Sequence, residues 1–244
     1  MRIVVLGATS GIAQEVVKIY ASRGAELVLV ARSSEKLEVV AKDALTRGAK
    51  EVSSLICSFE SEDSCRELVL KLTTGDSKLD LAFLAFGDLP DQIKAQQSWN
   101  QARSSLQVNL LSPIYILGEL ANLMEMQKEG VLAVIGSVAG DRGRKSNYIY
   151  GTAKGGLAIF LQGLRNRLSA SGVHVLTIKP GFVDTPMTAH LKKGVLFAKA
   201  DSVATGIVKA IDEKKDVVYL PFFWFGIMSI ICSIPERIFK RLSL

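Results

Sequence analysis

Residues 1–13 read Met1-Arg2-Ile3-Val4-Val5-Leu6-Gly7-Ala8-Thr9-Ser10-Gly11-Ile12-Ala13, an apolar run that breaks on a glycine and passes into a segment of helical period. Four consecutive apolar residues without inside/outside alternation describe a strand covered on both faces. The glycines that follow let the chain turn tightly, and the helix opening at Gly11 offers the free N–H groups and positive potential of its amino end. A strand, a glycine turn and a helix in this order form a cradle for a pyrophosphate, and Ala13 is small enough for close contact between helix and strand. The run before Gly7 is too short for the apolar core of a signal peptide and is expected to be the first strand of the fold.

The same alternation repeats along the chain. Apolar runs at 26–30, 52–57, 79–86, 131–135, 173–178 and 217–220 are separated by segments of helical period at 12–23, 33–47 and 61–72, a long stretch ending near Lys128, then 150–170 and 202–213. This order predicts a doubly wound α/β domain over residues 1–220: a seven-stranded, mostly parallel sheet between two layers of helices. No repeat, low-complexity tract or linker divides it.

Composition agrees. With 244 residues, 48% hydrophobic and 22% charged, the chain has core material for one sizeable domain, which excludes disordered and fibrous classes. The net charge of +6 is spread along the chain without aromatic interleaving outside the carboxyl-terminal segment, so no nucleic-acid partner is expected. Cys57, Cys65 and Cys232 are odd in number and lack CxxC spacing; a reduced cytoplasmic setting is expected, with neither a disulfide framework nor a metal site.

Residues 221–244 depart from the rhythm. From Val217 to Pro235 there is no charge, and the densest part, Phe222 to Ile231, is aromatic and aliphatic. Once 217–220 are assigned to the closing strand, too few apolar residues remain to cross a bilayer, which takes about 20. Arg237, Lys240 and Arg241 follow, interleaved with Ile238, Phe239 and Leu242. An apolar helical tail with a basic end fits a membrane interface at the inner face of the cell membrane, an entrance for a greasy substrate, or packing against the body or a second subunit.

The end of the second strand reads Val30-Ala31-Arg32-Ser33, with no acid before Glu35. An acidic residue there would bind the ribose hydroxyl of NAD, whereas a cation meets the 2′-phosphate of NADP. Arg32 can fork onto a phosphate and Ser33 can add a hydroxyl, so NADP(H) is expected over NAD(H).

Ser137, Tyr150 and Lys154 carry the chemistry. Ser137 ends the fifth strand, at the sheet edge where open α/β folds keep their crevice. Tyr150 and Lys154 are four apart on the following helix and share one face. Ketone reduction needs a proton at oxygen as hydride reaches carbon. A phenol is a weak acid near neutrality, and an adjacent ammonium is expected to lower its pKa. Tyr148 has Thr152 four residues on and lacks the cation. Trp99 and Trp224 read as packing groups, His174 as structural, and His190 as a residue of the substrate lid.

Gly7-Ala8-Thr9-Ser10-Gly11-Ile12-Ala13, Val108-Asn109-Leu110, Ser137, Tyr150-Gly151-Thr152-Ala153-Lys154 and Pro180-Gly181-Phe182-Val183-Asp184-Thr185 together resemble the short-chain dehydrogenase/reductase family over nearly the whole of residues 1–220. The resemblance implies a Rossmann-like subunit with a catalytic set of Asn109, Ser137, Tyr150 and Lys154. Asn109 would hold a water joining Lys154 to a proton relay, and Lys154 would also bind the nicotinamide ribose. It further implies cofactor contacts at Gly7, Thr9, Ser10, Gly11, Ile12, Arg32, Ser33, Ser58, Phe86, Gly87, Pro180, Gly181, Val183 and Thr185, and a homo-oligomer, dimer or tetramer. Three positions depart from the family pattern: Leu6 stands for a threonine, Leu84-Ala85-Phe86-Gly87 for Asn-Asn-Ala-Gly, and Ser58 for an aspartate at the adenine.

A narrower likeness joins Ala85-Phe86-Gly87, Asn147 to Gly151, Met187 to Lys192 and the tail from Ile234 to Leu242. These resemble the decaprenylphosphoryl-2-keto-ribose reductases, which reduce a lipid-linked keto-sugar. Arg142, Arg144, Lys145, Lys192 and Lys193 could neutralise a phosphodiester near the cleft. Two alternatives stay open: a soluble reductase of a small ketone or acyl thioester, and a non-catalytic dinucleotide-binding scaffold.

Overall fold

The computed structural model describes residues 1–74, 78–189 and 191–242. Strands β1 (Arg2–Leu6), β2 (Glu26–Ala31) and β3 (Glu51–Ile56) are separated by α1 (Gly11–Ser22) and α2 (Ser34–Thr46). After α3 (Glu62–Thr73) come β4 (Leu81–Leu84), α4 (Gln92–Gln97), α5 (Trp99–Leu106) and α6 (Ser112–Gln127). Then follow β5 (Gly130–Ile135), α7 (Tyr148–Leu168), β6 (Val173–Pro180), the short β7 (Val183–Asp184) and β8 (Ala198–Lys199), α8 (Ala200–Asp212) and β9 (Val217–Leu220). Two helices, α9 (Phe223–Ser233) and α10 (Glu236–Phe239), end the chain.

The main sheet is parallel throughout, in the order β3-β2-β1-β4-β5-β6-β9. From Ile3 to Leu6 of β1 and from Leu81 to Leu84 of β4 every residue is apolar, because each face has its own core. Ile3 and Val5 pack with Val16 and Val17 of α1 and Ile207 of α8; Val4 and Leu6 pack with Leu68 of α3, Leu117 of α6 and Leu161 of α7. Each such side chain contributes about 1.5–3 kcal/mol by leaving water. The edge strand β3 is different, exposing Ser53, Ser54 and Ile56.

The direction of winding reverses between β1 and β4, so their carboxyl ends open a crevice at the switch point. Gly7 forms its floor. Its φ of +89° lies in the left-handed region, and a Cβ there would stand 2.6 Å from the Phe86 backbone nitrogen. Glycine is required twice over, by conformation and by space. The Gly7 and Ala8 amides donate to Val30 O at 2.8 and 2.9 Å, which seats the turn on β2. Ser10 then caps α1, accepting from the Ala13 amide at 3.3 Å.

The stretch that reads as one long helix ending near Lys128 is three helices, with a π-helical turn, Gln107–Leu111, between α5 and α6. The extra residue in that turn shifts Asn109 into the interior, where it is fully buried. Trp99, read as a packing group, is 70% exposed at the start of α5. Trp224 does pack: its ring covers Gly181, where a Cβ would come within 1.9 Å of Nε1. With Met228 and Val138 it forms a third, small core that holds α9 against the carboxyl edge of the sheet. Arg142 fastens the end of the tail, donating to Ile234 O at 3.2 Å and Glu236 Oε2 at 2.7 Å and lying 4.3 Å over the Phe239 ring. Among the described residues, no helix is long and apolar enough to cross a membrane.

Candidate active site

Two cavities meet at the carboxyl edge of the sheet. The first, about 1240 Å³, is a groove along the glycine turn and β4, and its lining includes Gly7, Thr9, Ser10, Gly11 and Ile12. Arg32 and Lys36 stand at one end, Phe86 and Gly87 along the side, and Lys154 in the depth. The second, about 730 Å³, lies beyond β5 and β6 and contains Ser137, Pro180, Gly181, Val183 and Trp224. Tyr150 and Thr185 line both. Tyr150 thus stands at the junction, with Ser137 on one side and Lys154 on the other.

Local structure explains each position. Gly136 extends the β5–β6 ladder through its amide to Ile178 O at 2.7 Å, and Ser137 then turns the chain into a short 3₁₀ segment, Val138–Gly140. The Ser137 hydroxyl accepts from the Ala139 amide at 3.1 Å, leaving its proton for Tyr150, to which it is hydrogen-bonded. Gly140 lets α7 approach, because a Cβ there would stand 2.7 Å from the Gly155 amide and Lys154 carbonyl carbon. Lys154 is 3% exposed and donates to Ile135 O at 3.2 Å, with its Nζ 5.8 Å from the Tyr150 ring centroid.

Burial dominates the electrostatics. It pushes the Tyr150 phenol up to about 12, against the hydrogen bond from Ser137 and reinforced by the Asp88 charge. It draws Lys154 down to about 8, opposed by the attraction of Asp88. The four-residue spacing brings the pair together as expected, but the phenol is not acidified: desolvation and the Asp88 charge raise it, and the group that lowers it is the Ser137 hydroxyl, not the Lys154 amine.

Asp88, not singled out in the sequence, belongs to this centre. Its carboxylate accepts from Ser105 Oγ at 3.2 Å and from Asn109 Nδ2, while Asn109 Oδ1 accepts from the Asp88 amide at 3.2 Å. Asn109 is occupied by these bonds and by Ser105, behind Gly87, where a Cβ would stand 2.7 Å from Asn109 Oδ1 and 3.6 Å from Lys154 Nζ. An acid directly after a strand-end glycine was the available signal.

Two expected cofactor residues, Ser33 and Ser58, lie apart from the groove wall. Ser33 caps α2, accepting from the Lys36 amide at 3.3 Å. Ser58 is exposed, its amide bonded to Ser64 Oγ, and the wall beside it is made by Phe59, stacked on Phe86 with ring centroids 3.8 Å apart. Arg32 is an exposed residue paired with Glu60 at 3.2 Å. His174 has a structural partner, Lys215 O at 2.8 Å. His190 lies outside the described residues.

The family model for short chain dehydrogenase matches residues 1–195. The chain belongs to this family. Over 242 residues this short-chain dehydrogenase is 31% identical to an uncharacterized oxidoreductase of Mycobacterium tuberculosis, covering 98% of this chain and 96% of the other. It is also 31% identical over 241 residues to an uncharacterized oxidoreductase of Streptomyces coelicolor, covering 98% and 95%. Among solved structures, a short-chain dehydrogenase from Sphingobium yanoikuyae in complex with NADPH superposes with a TM-score of 0.82 at 20% identity, covering 96% of each chain. Levodione reductase does so with a TM-score of 0.80 at 22% identity, covering 90% of this chain and 95% of its own. These superpositions establish the fold, and the family match establishes an oxidoreductase.

The buried amine has a stability signature. Its folded-state value of about 8 lies below the ordinary 10.5, so the unfolded chain binds the extra proton between those values and stability rises with pH across that window. Below pH 8 the full cost applies, roughly 3 kcal/mol. Lys154→Met is expected to raise the unfolding free energy at pH 7 by about 2 kcal/mol, a gain that shrinks towards zero by pH 10. Denaturant titrations at the two pH values check this; a gain independent of pH would contradict it.

Proposed function

We propose that this oxidoreductase reduces a ketone to a secondary alcohol with NADPH, on a sugar-like or lipid-linked substrate. The observation that carries the reading is the place of Tyr150, shared by the two cavities with Ser137 in one and Lys154 in the other. A dinucleotide fits the groove: Gly7 leaves bare backbone where a Cβ would strike Phe86, and Gly11 lies so close to Thr185 that a Cβ would stand 3.0 Å from its methyl carbon. Gly7, Ser10, Gly11 and Ile12 would hold the pyrophosphate at the start of α1, and Arg32 with Lys36 the 2′-phosphate. When bound, the reduced dinucleotide supplies hydride.

The chain's own residues do the rest. Ser137 orients the carbonyl oxygen beside the phenol, and Tyr150 gives its proton to that oxygen. An alkoxide is a much stronger base than a phenolate, so it takes the proton even from a phenol raised to about 12. Oxidation would instead need the phenolate. Lys154 refills the proton, with the Asp88 charge opposing the loss of its own.

The second cavity is lined mainly by apolar side chains, among them Leu89, Phe182, Met187 and Leu191, with Trp224 of the tail closing one side. The outer face of the tail exposes Phe222, Phe223, Phe225 and Ile230, followed by Arg237, Lys240 and Arg241. Such a face supports contact with an anionic membrane at the cytoplasmic side, where a lipid-linked substrate would be met. Exposed Ile93, Trp99 and Ile159 on α4, α5 and α7 support pairing with a second copy.

Tyr150→Phe is expected to lower carbonyl reduction by about 10³-fold or more while dinucleotide affinity changes only a few-fold. Stopped-flow and fluorescence titration measure the two, and undiminished turnover sinks the reading. In titrations with both dinucleotides, NADPH is expected to bind more tightly than NADH, and Arg32→Ala to remove most of the difference. Equal affinities in the parent argue against the NADPH assignment. Replacing Phe222, Phe225 and Ile230 together by serine is expected to abolish co-sedimentation with phosphatidylglycerol vesicles; unchanged sedimentation speaks for a soluble reductase.

A further inference from the structure

Among the described residues, five buried side-chain polar atoms have no hydrogen-bond partner: Tyr20 Oη, Gln92 Nε2, Arg144 Nε, Asn147 Oδ1 and Trp224 Nε1. Three of their residues, Arg144, Asn147 and Trp224, line the second cavity beside Tyr150. Each unmet group costs about 1–3 kcal/mol, so gathering three around one cavity is expensive unless a bound molecule completes them.

The Asn147 amide makes the point most clearly. Asparagine at the N-cap of a helix ordinarily accepts from the first-turn amides, worth about 1 kcal/mol. Asn147 holds the N-cap position of α7, yet its side chain makes no capping bond. Arg144 is equally unusual. Two nearby cations have carboxylate partners: Arg142 is bound to Glu236, and Lys193 of the next loop pairs with Asp184 at 2.7 Å. No carboxylate among the described residues forms an ion pair with Arg144, which is drawn out of water and has its pKa lowered by burial. Trp224 Nε1 adds a donor from α9, which Arg142 fastens to the loop carrying Arg144 and Asn147.

We infer that Arg144, Trp224 and Asn147 form a substrate subsite for a singly charged anionic group, phosphodiester or carboxylate, attached to an apolar body. The guanidinium and the indole N–H donate to the anion, and Asn147 Oδ1 accepts from a neighbouring hydroxyl. The inference rests on the carbonyl-reductase reading for the orientation of the substrate, with the ketone at Tyr150 and the anion at Arg144. It separates Arg144 from the other cations near the cleft and gives the docked tail a part in recognition.

Binding can be read without turnover. The chain has two tryptophans, so in a Trp99→Phe background Trp224 alone reports through its emission. Titrations would use octyl methyl phosphate, octanoate, the neutral ester methyl octanoate, and inorganic phosphate. The two amphiphilic anions are expected to bind at least about ten-fold more tightly than the ester, a difference of about 1.4 kcal/mol. Arg144→Met should collapse that ratio towards one, and Arg144→Lys should keep part of it. Equal binding of ester and anions in the parent overturns the subsite, as does an unchanged ratio in Arg144→Met. Inorganic phosphate binding as tightly as octyl methyl phosphate overturns the requirement for an apolar body. Failure of Tyr150→Phe to lower turnover would remove the reductase reading without altering these titrations.

Discussion

The close passage of Gly7 against Phe86 is the constraint from which the site follows. Parallel β1 and β4 lie side by side although the chain winds away from them in opposite senses, and only a residue without a Cβ fits where their ends converge. The bare turn seats α1 with its amino end on the groove. The same convergence puts Gly87 between the groove and Asn109, and leaves Lys154 free to reach the carbonyl of Ile135 from α7. A methyl group at residue 7 would force β4, and with it Asp88 and Asn109, away from the rest of the centre.

Burial then decides which proton positions are available. Tyr150 and Lys154 are driven in opposite directions, the phenol up to about 12 and the amine down to about 8, because water is withheld from both charged forms. Asp88 opposes the second shift and adds to the first. The result is a protonated phenol facing the second cavity, backed by an amine that can exchange a proton near neutral pH. That combination suits delivery of a proton to a nascent alkoxide and is bought with stability, since a nearly buried cation is kept where an apolar side chain would pack better.

The carboxyl-terminal helices connect this centre to the outside. Trp224 enters the edge of the second cavity over Gly181, Met228 and Val138 hold it there, and Arg142 ties the last turn to the loop before α7. One face of α9 therefore helps to shape the site while the other presents Phe222, Phe225 and Ile230 to the surroundings. A single short helix can do both because its buried stripe is narrow, Trp224 and Met228 one turn apart.

Periodicity and turn chemistry in the sequence determined the seven parallel strands, their intervening helices, the glycine cradle and the Ser137–Tyr150–Lys154 set, because these depend on contacts within a few residues or on apolar runs that only two covered faces can explain. The π-helical turn that buries Asn109 was not legible, since one added residue in a helical stretch leaves no mark on an apolar pattern. Nor was the bond of Asn109 to Asp88, 21 residues away, or the packing of Trp224 on Gly181. The direction of the Tyr150 shift was likewise a tertiary matter: spacing brings a phenol and an amine together, but desolvation, which only the packed surroundings define, sets the sign.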